Sequence, residues 1–76
     1  MGYIEPMHKC IKEFPKRMAF ARTQKGLSQA DIGKLSGLHT TAINHYENGN
    51  RAPGIENLCL IADALAVTTD WLLGRE

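Results

Sequence analysis

The chain of 76 residues is 43% apolar, with a net charge of +1 and two cysteines. That length makes one domain with one modest core and leaves little room for an enclosed active site beside it. Cys10 and Cys59 write neither a disulfide framework nor a paired CxxC metal motif. With no run near the roughly 18 apolar residues of a membrane span and no leader pattern, the reading is a reduced, cytoplasmic binding module without membrane contact.

Nearly every segment reads helical, and no strand alternation, internal repeat or low-complexity tract occurs. Met7, Cys10, Ile11 and Phe14 follow i, i+3, i+4, i+7, so residues 1–14 read as an N-terminal extension holding a short amphipathic helix. Pro15 suits a first helical position and disfavours helix at Phe14, so the first main helix is expected from about Pro15 to Lys25, ending at Gly26. Ser28 caps a second helix through Ala30, Ile32 and Leu35 that stops at Gly37. A third helix follows after a single turn and ends at Asn48-Gly49. "NRAPG" is a loop that restarts a fourth helix near Gly54, with Ile55, Leu58, Ile61, Ala62 and Leu65 as its buried stripe. A last short helix begins at a Thr68 or Thr69 cap and stops at Gly74.

Charge is divided unevenly along the chain. Residues 1–51 hold eight Lys/Arg against four Asp/Glu, or +4, whereas residues 52–76 hold Arg75 against Glu56, Asp63, Asp70 and Glu76, or −3. Such asymmetry suits a polyanion-facing surface on the first half, and equally a solvated charge run. On a wheel of the third helix, Ala42, Tyr46, His39, Ile43 and Glu47 fill one side, and Thr40, Asn44, Asn48, Thr41 and His45 cover the other. A solvated helix face ordinarily favours Lys and Glu. Short, uncharged, polar side chains at this density suit close contact with another polar surface.

Leu27-Ser28-Gln29, Gly37, Ile43, the "EN-G" close at Glu47 to Gly49, Pro53 and the "L-IA-AL-V--DWLL" tail together resemble the lambda-repressor-like, Cro-type helix-turn-helix family, also called the XRE family. The resemblance spans Leu27 to Gly74. It implies an all-α, five-helix domain over 15–76 after a short N-terminal extension, and sequence-specific binding of double-stranded DNA as a transcriptional regulator, most simply a repressor. It places a recognition helix, about residues 39–47, in the major groove. Base-reading positions are then Thr40, Thr41, Asn44 and His45, whose side chains suit adenine, thymine and guanine edges. Phosphate-binding positions are Ser28 and Gln29 at the second helix's N-terminus, with Asn48, Asn50 and Arg51 beyond the recognition helix. Arg22 and Glu47 match a charged pair that positions that helix. Two departures stand out: His39 occupies the usual Ser or Thr cap position, implying weaker capping, and Gly33 replaces a frequent alanine, as a close helix approach would require.

Catalysis has little support, with no histidine pair at i, i+4, no nucleophile motif and no glycine-rich phosphate loop. His8 and Cys10 are too few to hold a metal, His39 and His45 lie on different faces, and no cofactor is implied. The competing reading is an antitoxin or bridging-type adaptor whose main partner is a protein such as a toxin. A bridging role would have only residues 1–14 to use, and a self-cleaving repressor would need a second domain. A homodimer on a palindromic operator is expected, because one recognition helix reads only a few base pairs. Leu60, opposite the fourth helix's stripe, and Trp71 are candidate interface residues, with Phe20 and the segment from Met7 to Phe14 as the rival surface.

Overall fold

A computed structural model of the chain describes residues 8–76. Its first helix, α1 (Lys9–Gln24), starts at His8, whose Nδ1 accepts the Cys10 N–H at 3.0 Å. Of the extension expected over residues 1–14, residues 1–7 lie outside the described residues. From Lys9 onward it is helical, but the expected break before Pro15 is absent, and α1 runs through it. Proline has no N–H for the carbonyl four residues earlier, and an interior proline costs about 3 kcal/mol. Burial offsets that. Phe14 is in the core and meets Tyr46 edge-on, with ring centroids 6.4 Å apart, while Arg17 Nη1 donates to the Trp71 carbonyl at 2.9 Å. Tertiary contacts on both flanks of Pro15 therefore keep the helix continuous.

The next two helices end where glycine punctuation places them. Ser28 and Asp31 form a reciprocal capping box at the start of α2 (Gln29–Ser36), at 3.0 and 2.8 Å, and α2 closes at Gly37 with φ 77°. The turn into α3 (Thr40–Asn48) explains Gly33. A Cβ there would lie 2.9 Å from the Leu38 carbonyl oxygen and 3.3 Å from Thr40 Oγ1. His39 caps α3 through its imidazole, Nδ1 accepting the Thr41 N–H at 3.1 Å. A ring nitrogen thus takes the place of the usual hydroxyl.

The fourth helix, α4 (Ile55–Leu65), buries Ile61, Ala62 and Leu65, with Leu58 packed beside them. The stripe begins at Leu58: Ile55, expected to be buried, is 84% exposed and lies outside the apolar residues packed on the core. A short α5 (Thr69–Leu72), capped by Thr68, returns the chain against α1. Met18, Ile32, Ile43, Ile61, Leu65 and Leu72 form the sealed centre, drawn from all five helices. Among the described residues there is no strand, and no helix is long and apolar enough to cross a membrane.

Candidate nucleic-acid interface

Core packing decides which side of α3 faces out. Ile43 and Tyr46 are buried, and the Tyr46 hydroxyl accepts Asn57 Nδ2 at 3.0 Å, tying α3 to α4. Thr40, Thr41, Asn44 and Asn48 are consequently exposed in one band, with His45 half-buried at its edge. No formal negative charge interrupts that band.

The helix is anchored from α1. Arg22 Nε donates to Glu47 Oε2 at 2.7 Å, Arg22 Nη2 to Glu47 Oε1 at 2.9 Å, and Arg22 Nη1 to the Leu27 carbonyl at 2.9 Å. Arg22 and Glu47 side chains are only 17% and 6% exposed. Hydrogen bonding to Glu47 raises the Arg22 guanidinium above its ordinary pKa, against the opposing cost of burial. One bidentate pair therefore fixes α3 relative to α1 and to the residue that leads into α2.

From Glu47 the polar contacts continue across the surface. Gln29 Nε2 donates to Glu47 Oε1 at 3.1 Å, Asn44 Nδ2 donates to Gln29 Oε1 at 3.2 Å, and Asn48 Nδ2 donates to Asn44 Oδ1 at 3.1 Å. Four residues singled out from sequence, Gln29, Asn44, Glu47 and Asn48, are thus joined in one chain. Asn44 and Asn48 stand one helical turn apart, a spacing that signals such a contact; the link through Gln29 crosses between helices and has no local signal.

The other singled-out residues stand separately. Ser28 is exposed with its hydroxyl engaged in the α2 cap. Asn50 is exposed beyond Gly49, its N–H bonded to the His45 carbonyl at 3.0 Å, and Arg51 is exposed beside it. Leu60 is half-buried on α4, and Trp71 is half-buried on α5 between Phe20, 6.4 Å away by centroid, and the Arg17 guanidinium, 5.1 Å above its ring. Exposed Leu35 and Ile55 are apolar surface that periodicity does not reveal. Among the described residues, no three or more His, Cys, Asp or Glu side chains gather as a metal site.

This geometry has close relatives. The structure is similar to the restriction-modification controller protein C.AhdI from Aeromonas hydrophila, with a TM-score of 0.78 and 32% identity over 86% of this chain and 98% of that one. It is equally similar to the P22 c2 repressor protein, solved with a synthetic operator, with a TM-score of 0.78 and 30% identity over 83% of this chain and 96% of that one. In sequence it is 40% identical over 65 residues to the CTXphi transcriptional repressor RstR of Vibrio cholerae, covering 86% of this chain and 55% of RstR. The chain spans about half the length of the curated relatives it matches. A helix-turn-helix family model matches residues 18–72, and the chain belongs to that family, in its lambda-repressor-like, XRE branch.

Proposed function

We infer that the chain binds double-stranded DNA sequence-specifically as a non-catalytic transcriptional regulator, a repressor, in the cytoplasm. The observation that carries this is the exposed, uncharged polar band of α3, locked in place through Glu47 and flanked by the N-terminus of α2. Similarity to a repressor solved with its operator and to a phage repressor supports the reading.

In this reading α3 enters the major groove, where Thr40, Thr41, Asn44 and His45 meet base edges. The α2 N-terminus, with Ser28 and Gln29, receives a phosphate through its first-turn N–H groups and helix dipole. Asn48, Asn50 and Arg51 grip the backbone past the other end of α3. Two copies bind a palindromic operator, with Leu60 and Trp71 at or near the contact between them.

Selection of bound duplexes from random DNA is the test. An enriched palindrome with half-sites about one helical turn apart is expected. A recovered pool with no enriched motif, at protein concentrations that retain DNA, would overturn sequence-specific binding.

A further inference from the structure

Where α3 ends against α1, the packing leaves a hollow. Gly49 closes α3, and a Cβ at that position would come no nearer than 3.9 Å to Pro15 Cγ on α1. Among the described residues, no N–H of residues 51–54 is bonded to another backbone group, so packing alone holds the loop that leads into α4. Beneath that loop lies a cleft of about 420 Å³, its mouth included, walled by Phe14, Pro15, Leu58 and Leu73. An apolar cleft of this size with a few polar groups at its edge has the make-up of a small-molecule site.

Charge at the rim selects the occupant. Arg51 lines the cleft, and Arg75 reaches its edge, with Nη1 standing 3.7 Å from Cys10 Sγ. Arg17 and Arg22 are paired with Glu13 and Glu47, but neither Arg51 nor Arg75 meets a carboxylate among the described residues, and no acidic side chain lines the cleft. A guanidinium holds a carboxylate through two parallel N–H donors. An apolar hollow with two such groups at its rim therefore complements a molecule with a hydrocarbon body and an anionic head. We propose that the cleft binds a small amphiphilic carboxylate, its body against Phe14 and Leu73 and its head group on Arg51, and that this ligand competes with DNA. The competition rests on the reading of Arg51 as a phosphate contact: one guanidinium cannot serve both anions, so the ligand releases the duplex. Coupling is reciprocal, and DNA must weaken the ligand by the same factor.

Octanoate is the probe, with octanol as the control for its chain and acetate for its head group. Titrated into ¹⁵N-labelled protein, octanoate should move the amide signals of Ala52, Leu58 and Leu73 and half-saturate below about 1 mM. Octanol should bind about tenfold more weakly, and acetate should leave those signals in place. Arg51→Gln should bring octanoate to the level of octanol. Cys10→Trp, which fills the cleft from α1, should abolish binding of both, and Ile11→Trp carries the same expectation should Cys10→Trp not fold. At saturation, octanoate should weaken binding of wild type to a random-sequence duplex at low salt by about fivefold or more, with no such effect in Cys10→Trp. Absence of a saturable shift, equal shifts from acetate, or octanoate binding indifferent to Arg51→Gln overturns the site. Nuclear Overhauser contacts to Leu58 and Leu73 from residues 1–7 or from a second copy, undisturbed by octanoate, overturn it too and give the cleft that occupant. Saturable octanoate binding beside an unchanged DNA affinity overturns the competition. A protein that binds octanoate and retains no duplex at low salt upholds the site and refutes DNA binding.

Discussion

Arg22 on α1 and Glu47 on α3 meet in a two-point contact, Nε to Oε2 at 2.7 Å and Nη2 to Oε1 at 2.9 Å, in a site that excludes most solvent. Exposed ion pairs are worth about 0–1 kcal/mol. Removing one partner here strands a mostly buried charge, and the cost should exceed that range, approaching about 3 kcal/mol. Denaturant unfolding of Arg22→Ala, Glu47→Ala and the double variant is the measurement. The double variant should be less destabilised than the sum of the singles; strict additivity would mean the two side chains do not act as a pair.

The capping box makes α2 sensitive to acid. Hydrogen bonds first from the Ser28 backbone N–H and then from its side chain hold the Asp31 carboxyl below its ordinary pKa of 3.8. Because the folded value is the lower one, this stabilisation is fully present above the unfolded pKa and is lost as pH falls through the folded one. Melting temperature should therefore drop as pH is lowered below about 4. Glu13, held low mainly by its hydrogen bond from Arg17, contributes in the same direction. In Asp31→Asn the drop should be shallower; an unchanged acid limb would detach the capping box from it.

Ala66 closes α4 in the left-handed region with φ 57°, the one non-glycine residue with positive φ among the described residues. Every other such position among them is a glycine. A left-handed conformation costs an L-residue about 1–2 kcal/mol, partly offset in a glycine variant by the greater freedom of its unfolded chain. Ala66→Gly should stabilise by about 0.5–1 kcal/mol, raising the melting temperature by a few degrees. A lower melting temperature would show that the Ala66 methyl contributes more than its backbone strain costs.

These particulars mark what the chain reveals by itself. Gly26, Gly37, Gly49 and Gly74 all adopt positive φ at helix ends, and Ser28 caps α2, because these are local properties of single residues. Gly33 is legible as a close approach because a glycine inside a helix otherwise costs stability, although what it approaches, Leu38 and Thr40, appears only in the folded turn. Pro15 misleads, since the local rule against helix at Phe14 is outweighed by burial of that ring against Tyr46, a residue distant in the chain. Ile55 misleads because periodicity gives the direction of a stripe and not where the core beneath it ends. The link from Gln29 to Asn44 joins residues of different helices and exists only once α2 and α3 are packed.

If α2 and α3 bind DNA as proposed, clamps and readers should separate in solution. Removing one phosphate-binding cation should reduce the slope of log affinity against log salt by about 0.9. Arg51→Ala should weaken specific and random duplexes alike and flatten that slope, whereas Thr41→Ala should cost about 1–3 kcal/mol at one base pair and leave the slope unchanged. Titrations at several salt concentrations on both kinds of duplex measure this. Identical losses for both variants on both duplexes would erase the distinction.

The proposed homodimer answers how little one α3 would read. If α3 reads base edges as proposed, a band of four side chains would contact only a few base pairs, and two copies across half-sites roughly 34 Å apart would select one site among many. Leu60 is half-buried yet lies outside the apolar set packed on the core, and Ile55 on the same helix is almost fully exposed. Trp71 is different: it already packs against Phe20 and Arg17 within the monomer, so Trp71→Ala should lower monomer stability as well. Leu60→Lys is the cleaner variant, because a lysine there is tolerated by a monomer and desolvated in a dimer. Sedimentation with and without a palindromic duplex should show wild type binding two to one and Leu60→Lys shifted toward monomer, with weaker binding and an unchanged melting temperature at low concentration. A wild type that stays monomeric and binds one to one ends the dimer proposal. Dimers indifferent to Leu60→Lys and Trp71→Ala move the contact to the N-terminal segment that ends at Phe14, where Ile11 is exposed.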